Sequence, residues 1–94
     1  MDLMVKGFQW DPVKSLANFE KHGVDFEDAR QVFYGPIIVS ESNRREERRW
    51  IAIGKLESRL IAVIFTYRND EIRIISARRA RKDEERAYRN AEMG

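Results

Sequence analysis

The chain has 94 residues, of which 43% are hydrophobic and 36% are charged, yet its formal net charge is only +2. This length suits a single modest core, and the hydrophobic share is too high for a chain that is disordered by composition. The lack of cysteine excludes disulfides and thiolate ligands, and the single histidine argues against a structural zinc site. We therefore expect one domain over residues 1–94, with no metal and no cofactor.

The sequence carries no signal for a membrane or for export. Its longest apolar run, Leu60 to Phe65, has the length of a strand and falls far short of the roughly 20 residues that span a bilayer. The first residues, Met1 to Lys6, lack the pattern of a signal peptide. We expect a cytoplasmic protein with no membrane partner.

A short strand and a helix are predicted at the beginning of the chain. Phe8-Gln9-Trp10 alternates apolar and polar residues, as a strand does. Asp11-Pro12 is typical of a helix start, because Asp caps the first turn and Pro fits its first position. Gly23 is typical of a helix end, so the helix is predicted over residues 12–22. One face of this helix carries Val13, Leu16, Ala17 and Glu20, with Phe19 beside it.

A second helix should begin after Asp25 and end at Gly35-Pro36, with Phe26, Ala29, Val32 and Phe33 as its buried stripe. Strands are then predicted over residues 37–40, 48–54, 60–67 and 71–78. Asn69-Asp70 suits a tight hairpin turn between the last two strands, whereas residues 41–47 form a polar loop by composition. Residues 81–92 strongly favour a final helix.

This order of elements predicts an α+β fold. It consists of a short N-terminal strand, two helices, a four-stranded and mostly antiparallel sheet, and a C-terminal helix. We expect the helices to pack on one face of the sheet. The other face would then carry whatever the strands project, including part of a set of arginines.

The segment Arg73-Ile74-Ile75-Ser76-Ala77-Arg78-Arg79 is the strongest functional signal, because it predicts a strand that ends in adjacent arginines. With Arg81 and Lys82, residues 73–82 contain five positive charges and no negative one. Guanidinium groups fixed on a strand are well placed to bind phosphate. Alternatively, they form a solvated strand face or edge that discourages association.

Other candidate residues also have two interpretations. His22 either caps the first helix at its negative end or acts as a general acid or base near neutral pH. Tyr67 and Tyr88 could stack on a base or bind phosphate, but the strand spacing of Tyr67 favours the core. Trp10 and Trp50 are also better explained as core residues.

Two functions fit a small basic domain with this composition. One is metal-independent RNA cleavage, in which the 2′-hydroxyl of RNA is the nucleophile and the protein orients the backbone, moves protons and stabilises charge. The other is a non-catalytic module that binds nucleic acid or protein through the same residues.

The sequence resembles the BrnT toxin family over about residues 8–89. An N-terminal signature comprises the segment at 8–12, Lys14, Asn18, Lys21-His22-Gly23-Val24, Phe26 and Ala29. The resemblance continues through Val32-Phe33, the Arg49–Gly54 strand, Thr66-Tyr67-Arg68, the segment at 73–80, Glu85-Arg86 and Tyr88.

This resemblance implies a type II toxin of bacteria with a RelE-like ribonuclease fold, which cleaves RNA without a metal and arrests translation. It implies a BrnA-like ribbon-helix-helix antitoxin as partner, and operator DNA that is contacted only through that antitoxin. The site residues carried over are His22, Lys21, Arg68, Arg78 and Arg79 for catalysis. Those for RNA binding are Arg73, Arg81, Lys82 and Tyr88.

Overall fold

The computed structural model describes residues 6–42 and 47–93, which form an α+β fold with a five-stranded mixed sheet. The strands are β1 (Gly7–Gln9), β2 (Ile37–Ser42), β3 (Arg49–Leu56), β4 (Arg59–Arg68) and β5 (Glu71–Arg79). The helices are α1 (Pro12–His22), α2 (Phe26–Ala29), a 3₁₀ helix (Arg30–Tyr34) and α3 (Lys82–Met93). Of the predicted polar loop, Glu41 and Ser42 belong to β2, and residues 43–46 lie outside the described residues.

The bounds predicted for α1 are confirmed at both ends. The Asp11 side chain accepts a hydrogen bond from the Val13 amide at 2.9 Å, and Pro12 occupies the first helical position. Gly23 adopts a φ of 75°, and its amide donates to the Phe19 carbonyl. Glycine reaches this left-handed conformation at no steric cost, which explains why the helix ends here.

The predicted second helix is present in two parts. Asp25 caps α2 by accepting a hydrogen bond from the Asp28 amide at 2.7 Å, as expected. After one turn the helix tightens into the 3₁₀ helix, which ends before Gly35. The stripe predicted to be buried is largely confirmed, because Phe26, Ala29 and Val32 are buried.

The sheet has one strand more than predicted. Its order is β1-β5-β4-β3-β2, with β1 parallel to β5 and every other pair antiparallel. The N-terminal strand was expected beside a four-stranded sheet, but it pairs with residues 71–73 and becomes the fifth strand. The turn between β4 and β5 is confirmed, since Asn69 and Asp70 both have positive φ, at 55° and 66°, as a two-residue hairpin requires.

One side of the sheet, called the covered face, packs against α2 and the 3₁₀ helix. Adjacent residues of a strand point to opposite sides, so every second residue of β3, of β4 and of most of β5 points to the covered face. The strand residues buried on this side are Ala52, Leu56, Ile61, Val63, Phe65, Ile72, Ile74 and Ala77. They form the main core with Val24, Phe26, Ala29 and Val32.

The C-terminal helix α3 lies on the opposite side of the sheet, so the expectation that all helices share one face is wrong. Tyr88 is only 2% exposed and packs with Ile53, Leu60, Ala62 and Ala80 in a second, smaller core. Its hydroxyl donates to the Pro36 carbonyl at 3.2 Å. This one large side chain anchors an otherwise polar helix over one end of the sheet.

Candidate functional site

The part of the second side of the sheet that α3 leaves uncovered carries a group of arginines, and we call it the basic face. It is defined by Arg49, Arg68, Arg73 and Arg78. Each of these residues neighbours a covered-face residue in its strand: Trp50, Tyr67, Ile72 and Ala77 respectively. The alternation of a strand therefore aims all four guanidinium groups to the same side.

Three shallow cavities adjoin one another on the basic face and all three include Ile75. The first, of about 240 Å³, is lined by Asp11, Lys14, Glu47, Arg49, Arg68, Arg73, Ile74 and Ile75. The second, of about 330 Å³, is lined by Ser42, Arg49, Ile51, Ile64, Ile75, Ser76, Arg78, Arg81 and Glu84. The third, of about 230 Å³, is lined by Lys14, Ala17, Asn18, Lys21, His22, Ile75 and Ser76.

Ile75 reaches this central place because of a β-bulge. On β4 the neighbours Ile64 and Phe65 pair with Ser76 and Ile74, so Ile75 is the extra residue of β5. A bulge twists a strand and redirects a side chain, and bulges are frequent beside functional sites. Here it places an apolar side chain at the junction of three cavities that are otherwise rich in cations.

The third cavity exists because α1 lies along the edge of β5. The side-chain nitrogen of Asn18 donates to the Ala77 carbonyl at 2.8 Å, and its side-chain oxygen accepts from the Ala77 backbone amide at 3.2 Å. The side chain thus pairs with β5 as a neighbouring strand would. It also donates to the Val24 carbonyl at 2.7 Å. These bonds fix α1 so that Lys14, Lys21 and His22 border the basic face.

Arg78 is held mainly by Glu84 of α3. Two nitrogens of its guanidinium donate to the two carboxylate oxygens at 2.7 and 3.0 Å, and both side chains are less than a fifth exposed. The Arg81 amide donates to the same carboxylate at 2.8 Å, which closes the first turn of α3 as a capping box does. Hydrogen bonding from Arg78 lowers the pKa of Glu84, and the same bond raises the pKa of Arg78.

Two further arginines of the basic face also have protein partners. Arg68 lies 3.2 Å from the Glu47 carboxylate, and both side chains are about half exposed. Arg73 donates to the Gln9 side-chain oxygen at 2.9 Å. Since an exposed ion pair contributes little energy, an incoming phosphate can compete with Glu47 for Arg68.

Arg49 differs from these arginines and was missed as a site residue by sequence reasoning. It lines both the first and the second cavity. Its Nε is buried and has no hydrogen-bond partner among the described residues. The side of the sheet on which Arg49 lies could have been predicted from the sequence. Arg49 directly precedes Trp50 in β3, and Trp50 belongs to the apolar side of that strand.

The structure brings together His22, Lys21, Arg68, Arg73, Arg78 and Arg81 of the predicted site, but not its other members. Arg79 is opposite Ile61 in the sheet and follows Arg78 directly, so it projects from the covered side of the sheet. Arg78 and Arg79 therefore cannot hold the same phosphate. Lys82 is exposed at the start of α3 and lines none of the three cavities.

The prediction that Tyr88 contacts RNA does not agree with its burial, because its ring belongs to the small core under α3. Tyr67, which was expected in the core, is 41% exposed and packs edge-on against Trp50 and Phe65. Trp10 and Trp50 pack against the main core, as expected.

Two observations concern ligands and membranes. Among residues 6–42 and 47–93, no three histidine, aspartate or glutamate side chains come together as a metal site would need. No helix in the described part of the chain is long and apolar enough to cross a membrane.

Comparison with known proteins gives one family. A family model described as "Ribonuclease toxin, BrnT, of type II toxin-antitoxin system" matches residues 10–84, which is well over half of the chain. The matched region begins just before α1 and includes the whole sheet except β1, together with the basic face. No curated protein matches the chain.

Proposed function

Since this chain belongs to the BrnT family of type II ribonuclease toxins, we propose that it is a metal-independent endoribonuclease whose substrate lies across the basic face. Membership of a type II family also implies a protein antitoxin as partner. The observation that carries the proposal is the meeting of three cation-lined cavities at Ile75, with the only histidine of the chain on their border.

The arginines supply binding and charge neutralisation in this proposal. An RNA backbone that follows the basic face meets Arg68 and Arg73 in the first cavity and Arg49 where the first two cavities adjoin. Planar guanidinium groups bind phosphate oxygens through paired hydrogen bonds. Arg49 lines both of these cavities, whereas Arg79 projects from the covered side of the sheet, so we assign Arg49 to the scissile phosphate in place of Arg79.

His22 and Lys21 supply the proton chemistry or further phosphate contacts. In the reaction a base removes the proton of the 2′-hydroxyl, the 2′-oxygen forms a bond to phosphorus, and the bond from phosphorus to the 5′-oxygen breaks. An acid protonates the departing 5′-oxygen. The products are a 2′,3′-cyclic phosphate, which hydrolyses to a 3′-phosphate, and a 5′-hydroxyl. Because the nucleophile belongs to the RNA, the protein has only to orient, to move protons and to stabilise charge.

The biological consequence is arrest of translation through loss of RNA. We propose that a BrnA-like ribbon-helix-helix antitoxin neutralises the chain, and that the complex represses its own operon through the DNA-binding part of the antitoxin. The proposal includes a RelE-like relationship of the fold, which the mixed sheet flanked by helices supports.

A second function is favoured by one specific observation. Arg68, Arg73 and Arg78 already have protein partners, so most guanidinium groups of the basic face are engaged. A chain that only docks an acidic antitoxin segment or nucleic acid would need no turnover and could tolerate this arrangement. Both functions predict binding that weakens with salt, and only the first predicts cleavage.

The test is incubation of the purified chain with a defined RNA in EDTA, analysed for new 5′-hydroxyl and cyclic phosphate ends. The same RNA with a 2′-deoxynucleotide at the cleavage position should resist cleavage, because it lacks the nucleophile. His22→Ala should lower the rate by about 10²-fold or more, whereas Gln31→Ala, an exposed change on the 3₁₀ helix, should not. Cleavage that required added magnesium, or persisted in the deoxy substrate, would contradict the mechanism.

A further inference from the structure

Helix α1 is attached to the protein by its polar side, and its apolar side faces solvent. Ser15 and Asn18 are its buried residues. Ser15 accepts a hydrogen bond from the Phe26 amide at 2.9 Å, and Asn18 bonds to β5. Val13, Leu16 and Phe19 are 75%, 60% and 50% exposed.

These three side chains form one surface, which we call the α1 stripe. Residues three apart in a helix are neighbours on its surface, so Val13, Leu16 and Phe19 line up along α1. Half of the six exposed large hydrophobic residues in the described part of the chain are on this single helix. Exposed apolar residues grouped in this way mark an interaction site more often than residues scattered singly.

The opposite flank of α1 is basic. Lys14 and Lys21 lie on the same side of the helix, about two turns apart, and line the cavities that border the basic face. The cavity that Lys14 lines also contains Arg49, Arg68 and Arg73 of the basic face, which add positive charge on this flank. A protein that covers α1 therefore meets apolar side chains on one flank and cations on the other. The surface of such a partner should therefore combine apolar side chains with neighbouring acidic ones.

We infer that α1 is the docking helix for the antitoxin. An apolar segment of the antitoxin packs against the α1 stripe, and an acidic segment crosses Lys14 and Lys21. This inference rests on the proposed function for its partner, since the type II family is what implies a protein antitoxin. It also gives a mechanism of neutralisation, because a chain that crosses Lys21 covers the cavity that His22 lines.

The C-terminal helix is a poorer candidate for this role. Its one large apolar side chain at the interface with the sheet, Tyr88, is already buried, and Glu84 is engaged with Arg78. Met93 is 89% exposed but stands at the end of the helix without a second exposed large hydrophobic residue on α3. The side chain of Met93 therefore serves as a matched control.

The test uses a triple variant, Val13→Ser with Leu16→Ser and Phe19→Ser, beside Met93→Ser. Affinity for the antitoxin encoded in the same operon is measured by calorimetry, and thermal unfolding confirms that each variant is folded. The triple variant should bind the antitoxin about tenfold or more weakly, as loss of a buried apolar anchor does, and Met93→Ser should bind as the unchanged chain does. Lys14→Glu with Lys21→Glu should weaken the same association by repulsion.

The variants also separate this inference from the proposed function. RNA cleavage by the triple variant without antitoxin should equal that of the unchanged chain, because the α1 stripe lies outside the cavities. Weaker antitoxin binding in a chain that cleaves no RNA would support the docking surface and reject the ribonuclease. Unchanged antitoxin affinity would overturn the docking surface. A triple variant that loses self-association on light scattering, with antitoxin binding intact, would assign the stripe to a second copy and also overturn it.

Discussion

The two sides of the sheet use the same strands for different purposes. On the covered face, Ile61, Val63 and Phe65 are fully buried against helices. On the basic face, arginines of the same or neighbouring strands line open cavities. The period of two of a β-strand thus lets one segment supply both a core and a rigid array of cations. Substitutions on the covered face should therefore change mainly stability, and substitutions on the basic face should change mainly charge.

The largest effect is expected on the covered face. Phe65 is fully buried and its ring contacts the rings of Phe33, Trp50 and Tyr67. Phe65→Ala should lower the free energy of unfolding by about 3–5 kcal/mol, because it removes apolar burial and leaves a cavity. Denaturant unfolding measures this change. Arg68→Ala on the basic face should alter the same quantity by less than about 1 kcal/mol.

A somewhat smaller loss is expected where α1 joins the sheet. Asn18→Leu removes the partners of both backbone groups of Ala77 and of the Val24 carbonyl. Each buried group left without a partner costs about 1–3 kcal/mol, so the loss for three such groups should make unfolding easier by about 3 kcal/mol, the lower end of this range. Hydrogen exchange should locate the effect at α1 and the edge of β5. Protection of the Ala77 amide that stayed unchanged would show that Asn18 does not hold this edge.

A pH-dependent effect is expected at the ion pair that joins the basic face to α3. Hydrogen bonding from Arg78 lowers the pKa of Glu84 below its ordinary value of 4.5. A carboxyl group whose pKa is lowered by folding stabilises the fold at pH values above its pKa in the unfolded chain. This stabilisation is lost as the pH falls through its pKa in the folded chain. Glu84→Gln should cost about 1–3 kcal/mol near neutral pH and should flatten the loss of stability below pH 4.5.

Urea unfolding at a series of pH values, with Glu92→Gln as a control, checks this prediction. Glu92 is a more exposed carboxylate that pairs with Lys55 at 3.3 Å, so its removal should matter little. A stability profile of Glu84→Gln that ran parallel to that of the unchanged chain at acid pH would refute the role given to this carboxyl group.

Local signals of the sequence predicted local structure well. Asp11, Pro12 and Gly23 determine both ends of α1, and Asn69-Asp70 determines the last hairpin, because capping and left-handed backbone geometry depend on a few neighbouring residues. The alternation of apolar residues also predicted most of the covered face.

Long-range pairing could not be predicted in the same way. β1 has only three residues, which is too short a pattern to indicate a parallel partner. The apolar stripe of α1 suggested nothing about its exposure, because the buried side depends on hydrogen bonds from Asn18 to a residue 59 positions away. Likewise, the packing of Tyr88, and not the amphipathic pattern of α3, determines which side of the sheet this helix covers.

The candidate site was predicted in composition but not in arrangement. Arg78 and Arg79 were both predicted as catalytic residues, although strand alternation alone separates them onto opposite sides of the sheet. Arg49 was overlooked because it is isolated from the basic segment in the sequence. Its closeness to Arg73 and Arg78 arises only when β3, β4 and β5 assemble around the bulge at Ile75.

The most direct measurement compares Arg49→Ala with Arg79→Ala in the RNA cleavage assay in EDTA. The two changes remove the same group from opposite sides of the sheet. If the basic face is the active surface, Arg49→Ala should slow cleavage by about 10²-fold or more, and Arg79→Ala should change it several-fold at most. The reverse order of effects, or equal cleavage by both variants and the unchanged chain, would contradict the assignment of catalysis to this face.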